Sequence, residues 1–174
     1  MEKGDYMMKA VMPGSFDPIS KGHLAIIERA SKIFDEVHVL VSANLNKKCD
    51  FTATERVNMI KMVTKNIPNI VVTSSEDLVV RYAKKNNINV IVRGIRNIND
   101  YETELRLAKF NKDIEEEIET FIMFPSNKYS FISSSAIKEF IGYGVNINKY
   151  VPEALIKIIE KRYKRNLREK KNEL

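Results

Sequence analysis

The chain has one cysteine among its 174 residues, no tryptophan, two histidines, five prolines and six glycines. A lone Cys49 forbids an internal disulfide and any zinc site built from several thiolates, and agrees with a reducing compartment. A nucleophilic role for it would need a base beside the thiol, and neither histidine is placed as its partner by the sequence. No apolar run approaches the roughly 20 residues that span a bilayer. The start, MEKGDYMMKAVMPGS, has no continuous apolar core and no small-residue cleavage site, so a cytoplasmic protein without membrane anchor or secretory signal is expected. Also missing are GxxxxGKS/T, GxGxxG with a following ribose acid, HExxH and clustered carboxylates; no metal held by protein ligands alone is expected.

What is present fits a globular protein: 44% hydrophobic and 30% charged residues, in a length that suits one domain spanning 1–174. The net charge of +6 is uneven. Residues 161–174, KRYKRNLREKKNEL, hold seven Lys or Arg and two Glu, a net of +5, which leaves +1 for the other 160 residues. A basic terminal helix fraying into solvent is the favoured reading of that tail, and a patch for nucleic acid or an acidic surface is the alternative.

Apolar, β-branched runs at 10–12, 37–42, 70–73, 90–92 and 121–124 alternate with amphipathic segments. Runs apolar on both faces and separated by helices predict a doubly wound α/β fold around a five-stranded parallel sheet, with a C-terminal helix. Pro13 and Gly14 are expected to break the first strand. Ser20 is expected to cap a helix with the stripe Leu24, Ile27, Ala30 and Phe34. Thr52 with Glu55 reads as a capping box, and Asn99 or Asp100 as the cap of a helix with the stripe Tyr101, Leu105, Ala108 and Lys112. Pro152 suits the first turn of a last helix with the face Leu155, Ile158 and Ile159, packed as an appendage. His38, in EVHVLVS, falls on a polar strand face and reads as structural.

In open parallel sheets ligands bind beyond the carboxyl ends of the strands, and there the polar residues collect. After the first strand come Ser15 and His23, with His23 in a first helical turn where unpaired N–H groups favour an anion and Gly22 lets one approach. After the second come Lys47 and Lys48; after the fourth, Arg93 and Arg96 around Gly94; after the fifth, Lys128, Ser130 and Ser133 to Ser135. Arg93 and Arg96 suit phosphate through paired N–H donors, or they pair with Asp100, Glu102 or Glu104 on the next helix. The serines bring hydroxyls to a phosphate chain, or they cap a helix. Together these residues describe a pocket for a polyphosphate and a second anion. Phosphoryl and nucleotidyl transfer need little from a protein beyond positioning and charge stabilisation.

PGSFDPISKGH, RGIRNINDYETE and SNKYSFISSS, in that order and at that spacing, resemble the bacterial phosphopantetheine adenylyltransferases of the HxGH/TxGH nucleotidyltransferase superfamily. The resemblance runs from about Lys9 to Pro152. It implies a Rossmann-like homohexamer that joins ATP and 4'-phosphopantetheine into dephospho-coenzyme A and pyrophosphate, with Mg2+ held mainly through the ATP phosphates. It further implies that His23 contacts the nucleotide phosphates as the catalytic residue. Ser15 would touch both substrates, and Lys47, Val79 and Arg93 the phosphopantetheine. Phe16, Gly94, Ile95, Arg96, Glu104, Tyr129, Ser130, Phe131, Ile132, Ser133, Ser134 and Ser135 would meet the nucleotide. The chain departs from the family in Ser15 for a common Thr, in Lys21 at the variable position before Gly22 and His23, and in Tyr129 for a frequent Trp. Ser keeps the hydroxyl and Tyr a flat apolar body. No nucleic-acid or membrane partner is implied.

Overall fold

The computed structural model describes residues 7–42, 48–129 and 131–163. Five strands, β1 (Lys9–Gly14), β2 (Glu36–Ser42), β3 (Ile70–Ser75), β4 (Val90–Gly94) and β5 (Glu119–Met123), alternate with α1 (Lys21–Ala30), α2 (Ala53–Thr64), α3 (Val79–Lys85) and α4 (Ile98–Ile114), and α5 (Ser134–Gly142) follows. The sheet is wholly parallel in the order β3-β2-β1-β4-β5. The winding direction reverses between β1 and β4, which opens a crevice at their carboxyl ends.

Period-two alternation sorts the strands between two cores. Ala10 and Met12 of β1, Val37, Val39 and Val41 of β2, and Val92 of β4 share a cluster with Ile26, Ile27, Met59, Ile60 and Ile137 from the helices. Val11, Leu40 and Ile91 point the other way, to Val80 and Ala83 of α3. Burial of both faces is why the central strands read as continuous apolar runs.

Several expectations are corrected. β1 continues through Pro13 to Gly14, because its ladder to β2 persists as Pro13↔Leu40 and Gly14↔Val41 while the ladder to β4 stops at Val11↔Ile91. The missing proline N–H is therefore tolerated on the released side. β5 ends at Met123, and Phe124 is exposed. α1 has its Ser20 cap but ends at Ala30; it buries Ile26 rather than Leu24, and Phe34 is buried from the following turn. The Thr52–Glu55 capping box forms, with bonds of 2.8 and 3.2 Å. Asn97, not Asn99 or Asp100, caps α4 by accepting the Asp100 N–H at 2.9 Å. In α4 Glu104 alone is buried; Tyr101 and Leu105 are exposed, as are Ile98, Leu107, Phe110 and Ile114. His38 is buried, not on a polar face: its Nδ1 lies 2.6 Å from the Tyr82 hydroxyl and its Nε2 2.9 Å from Glu36.

The C-terminal segment is no appendage. A 3-10 turn at Glu153–Leu155 leads into helical residues 156–163, and Val151, Leu155, Ile159 and Tyr163, one row at a spacing of four, belong to the main core. Ile158 turns outward at 39% exposure, whereas Ile159 is fully buried. The stretch 164–174, most of the basic tail, lies outside the described residues. Replacing Ile159 by Ala is expected to cost about 2–5 kcal/mol of stability, against less than about 1 kcal/mol for Ile158→Ala. Urea denaturation of the two variants checks this, and equal small losses would contradict the packing.

Candidate active site

The corner between β1 and α1 is built around one imidazole. Ser20 caps α1, and its Oγ accepts the His23 N–H at 3.3 Å. His23 answers with its ring, where a capping box ordinarily uses Glu or Gln: Nδ1 accepts the Ser20 N–H at 3.1 Å and lies 2.9 Å from Ser20 Oγ. Because Nδ1 is an acceptor, the proton of the neutral ring resides on Nε2, which becomes a donor. Phe16 packs edge-on against the ring, centroids 5.2 Å apart. Phe16 holds a φ of +46° while its ring is 1% exposed. A left-handed backbone at a bulky residue persists only where the surroundings over-determine it. Gly14 is part of that constraint, since a Cβ there would meet the Phe16 ring at 2.9 Å.

Packing within the fold does not demand glycine at position 22. A Cβ on it would meet Ser20 Oγ at 3.4 Å and the Tyr129 carbonyl at 3.5 Å, ordinary contacts, so the fold itself has room for alanine.

At the end of β4, both pairings left open by the sequence form. Arg93 grips Glu104 through Nε at 2.6 Å and NH2 at 2.5 Å, and its NH1 donates to the Pro13 carbonyl at 3.1 Å. Arg96 grips Asp100 through Nε at 2.8 Å and NH2 at 3.1 Å, and donates to the Ile132 carbonyl at 3.3 Å. Pairing does not exhaust either guanidinium, because each has five N–H donors and three are engaged in these bonds. The carboxylates fix the forks and leave donors for an anion.

At α5, Ser133 is the cap and accepts the Ala136 N–H at 3.0 Å, while buried Ser134 donates to the Pro18 carbonyl at 2.9 Å. Two of the three hydroxyls thus serve the fold. Ser135 is exposed. The N-termini of α1 and α5 converge on one opening, where their unpaired N–H groups favour negative charge.

That opening is a cleft of about 280 Å³, lined by Ser15, Phe16, His23, Arg93, Gly94, Arg96, Glu104, Tyr129, Ile132 and Ser133 to Ser135, among others. Ile95 and Phe131 are not in its lining. Ile95 is buried and donates its N–H to the Met123 carbonyl, and Phe131 is exposed against Tyr150. Val79 lines a neighbouring cavity of about 80 Å³ that shares Pro13, Arg93 and Glu104 with the cleft. Lys47 and Ser130 lie outside the described residues. The sequence reading missed Leu107, Asn111 and Thr120 in the smaller cavity. The row Glu104, Leu107, Ala108 and Asn111 has helical spacing and would have marked the inward face of α4, one step from the stripe chosen.

A model of the cytidylyltransferase-like family matches residues 11–140. A phosphopantetheine adenylyltransferase of Wigglesworthia glossinidia brevipalpis is 45% identical over 159 residues, 91% of this chain and 95% of that protein. Among solved structures, a protein of Vibrio parahaemolyticus described as a candidate nicotinate-nucleotide adenylyltransferase superposes with a TM-score of 0.65, covering 90% of this chain and 96% of that one. At 19% identity that likeness concerns the fold. The chain belongs to the phosphopantetheine adenylyltransferases, within the cytidylyltransferase-like family.

Proposed function

We propose that the protein transfers the adenylyl group of ATP to 4'-phosphopantetheine, releasing pyrophosphate and forming dephospho-coenzyme A. The observation that carries this reading is the capped imidazole of His23, its proton assigned to Nε2, in the same cleft as two preorganised guanidinium forks. An oxygen of the acceptor phosphate attacks the α-phosphorus, a new P–O bond forms, and the bond to the bridging oxygen of the β-phosphate breaks with its electron pair on pyrophosphate. The acceptor phosphate is anionic near neutral pH, so no general base is needed. Nε2–H of His23 stabilises charge on the α-phosphate oxygens as the phosphorus becomes five-coordinate.

Arg93 and Lys47 hold the acceptor phosphate in this scheme, Val79 lies along the pantetheine arm, and Ser15 touches both substrates. Phe16, Gly94, Arg96, Glu104, Tyr129, Ser130 and Ile132 to Ser135 serve the nucleotide, whereas Ile95 and Phe131, expected beside it, lie outside the cleft lining. Among the described residues no group of three or more His, Cys, Asp or Glu could hold a metal ion, and the cleft carboxylates Asp100 and Glu104 are already paired with arginines. The protein side is thus ill suited to hold Mg2+ by itself, and the ion belongs to the substrate as Mg-ATP. The exposed apolar set on α4 and β5, which includes Ile98, Phe110, Ile114 and Phe121, supports self-association, for which the family resemblance names a hexamer. A cytoplasmic setting agrees with the coenzyme A reading, and no helix among the described residues is long and apolar enough to cross a membrane.

Incubation with ATP and 4'-phosphopantetheine should release pyrophosphate, and nicotinate mononucleotide or glycerol phosphate should not replace the acceptor. His23→Ala is expected to lower kcat by roughly 10² or more, the scale of losing one oxyanion-type donor; near-normal turnover would refute its role. Arg93→Lys swaps a fork that can grip Glu104 and a phosphate at once for a point charge. It should therefore raise the KM for 4'-phosphopantetheine well above its effect on kcat, and steady-state kinetics with the acceptor varied would reveal an unchanged KM.

A further inference from the structure

Behind the cleft wall lies a charge cluster that the mechanism above does not use. The carboxylate of Asp17, next in the chain to Phe16, is wholly buried. It accepts the Asp50 N–H and the Phe51 N–H, each at 3.0 Å, and lies 2.5 Å from the Lys138 ammonium of α5. The same ammonium is 2.6 Å from the Asp50 carboxylate, which also accepts the Tyr163 hydroxyl at 2.8 Å. Arg162 adds a bond to the Asp50 carbonyl at 2.6 Å. One cation thus holds two carboxylates from segments 33 residues apart, and the bonds from Tyr163 and Arg162 to Asp50 link them to the C-terminal helix.

We propose that Lys138 is a positioning residue for catalysis, holding Asp17, and through it the Phe16 turn that orients the His23 ring. The proposal rests on the adenylyl-transfer reading. Lys138 is absent from the cleft lining, whereas Phe16 and His23 are both in it. The route from Lys138 to the imidazole is short: an ion pair to Asp17, a covalent step to Phe16, and the edge-on ring contact to His23. Phe16 has a backbone conformation that requires external restraint, and the Asp17 carboxylate supplies it on one side. Ser134, bonded to the Pro18 carbonyl, and Arg56, bonded to the Ser15 carbonyl at 2.7 Å, restrain the same turn without carrying its charge. Burial alone would depress the Lys138 pKa, but the bonds to Asp17 and Asp50 outweigh it and the net direction is upward, so the ammonium stays charged. Burial first, and then the bond to Asp50, raises the Tyr163 pKa, which keeps its hydroxyl a donor. Without Lys138 the two carboxylates would repel across the turn.

The test compares wild type with Lys138→Met, the double variant Lys138→Met with Asp17→Asn, and Tyr163→Phe. All are assayed for pyrophosphate release at saturating ATP, at a temperature where circular dichroism finds each folded. Lys138→Met is expected to lose at least tenfold in kcat with the KM for 4'-phosphopantetheine within twofold. The double variant, which removes the stranded charge, should recover most of that loss, and Tyr163→Phe should lose kcat two- to fivefold. The chain has two histidines, so a 15N–1H spectrum of the imidazoles resolves both; in Lys138→Met the His23 ring signals should move while those of His38 stay. A kcat within twofold of wild type, or a His23 spectrum that does not change, overturns the proposal. Should Lys138→Met fail to fold, Tyr163→Phe decides by the same two readouts. Failure of the wild type to release pyrophosphate would instead overturn the underlying reading.

Discussion

The reciprocal cap between Ser20 and His23 engages one imidazole nitrogen in closing the first turn of α1, and so determines which nitrogen carries the neutral ring's proton. A free histidine samples two tautomers and several rotamers; this one has Nδ1 tied to a backbone N–H and its face closed by Phe16. Catalysis by charge stabilisation depends on donors that need no reorganisation when charge develops. The helix start thereby does two jobs with the same bonds. It satisfies its own unpaired N–H groups, and it presents an aimed donor beside the positive end of the helix.

The same economy governs the arginines. A guanidinium facing an empty cleft would be hydrated and mobile, and ordering it on binding would cost side-chain entropy of up to about 2 kcal/mol. Arg93 avoids that cost because Glu104, the buried residue of α4, holds two of its donors, and the Pro13 carbonyl holds a third. The bond to Pro13 also ties β4 to β1 beyond the point where their ladder ends at Val11↔Ile91. The gap between the strands is the crevice, and the residue that bridges it belongs to the site.

The parallel sheet was legible because burial on both faces writes a strand as an uninterrupted apolar run, and much of the cleft lining was legible because Gly, Ser and Arg recur at strand ends. The helix ends were partly legible: Ser20 and Thr52 cap as read, while Asn97 caps α4 in place of its neighbours. The inward face of α4 was misread because its one buried residue is an acid, Glu104, and an apolar stripe was sought on a helix whose large apolar residues are largely exposed, Leu107 bordering the smaller cavity among them. The C-terminal helix was misjudged for the opposite reason. Its row at a spacing of four reads as an ordinary amphipathic face, and nothing local says that the face completes the core. The Asp17–Lys138 pair joins residues 121 apart, a separation at which neither periodicity nor motif carries information.

A fold held in common at 19% identity, as with the Vibrio protein, leaves the chemistry of the acceptor to be set by side chains on the loops and helix faces around a shared frame. In this chain Pro13, Arg93 and Glu104 border both the cleft and the smaller cavity. In the proposed scheme an acceptor phosphate gripped by Arg93 would stand at the junction, with the cleft and His23 on one side and a narrow space walled by Val79, Leu107 and Asn111 on the other. In the same scheme that space would suit a slender chain with amide groups along an apolar body, because its lining combines Val79, Ile91, Leu107 and Ala108 with Asn111 and Thr120. In that scheme the ion pair between Glu104 and Arg93, which borders both cavities, would orient the acceptor phosphate.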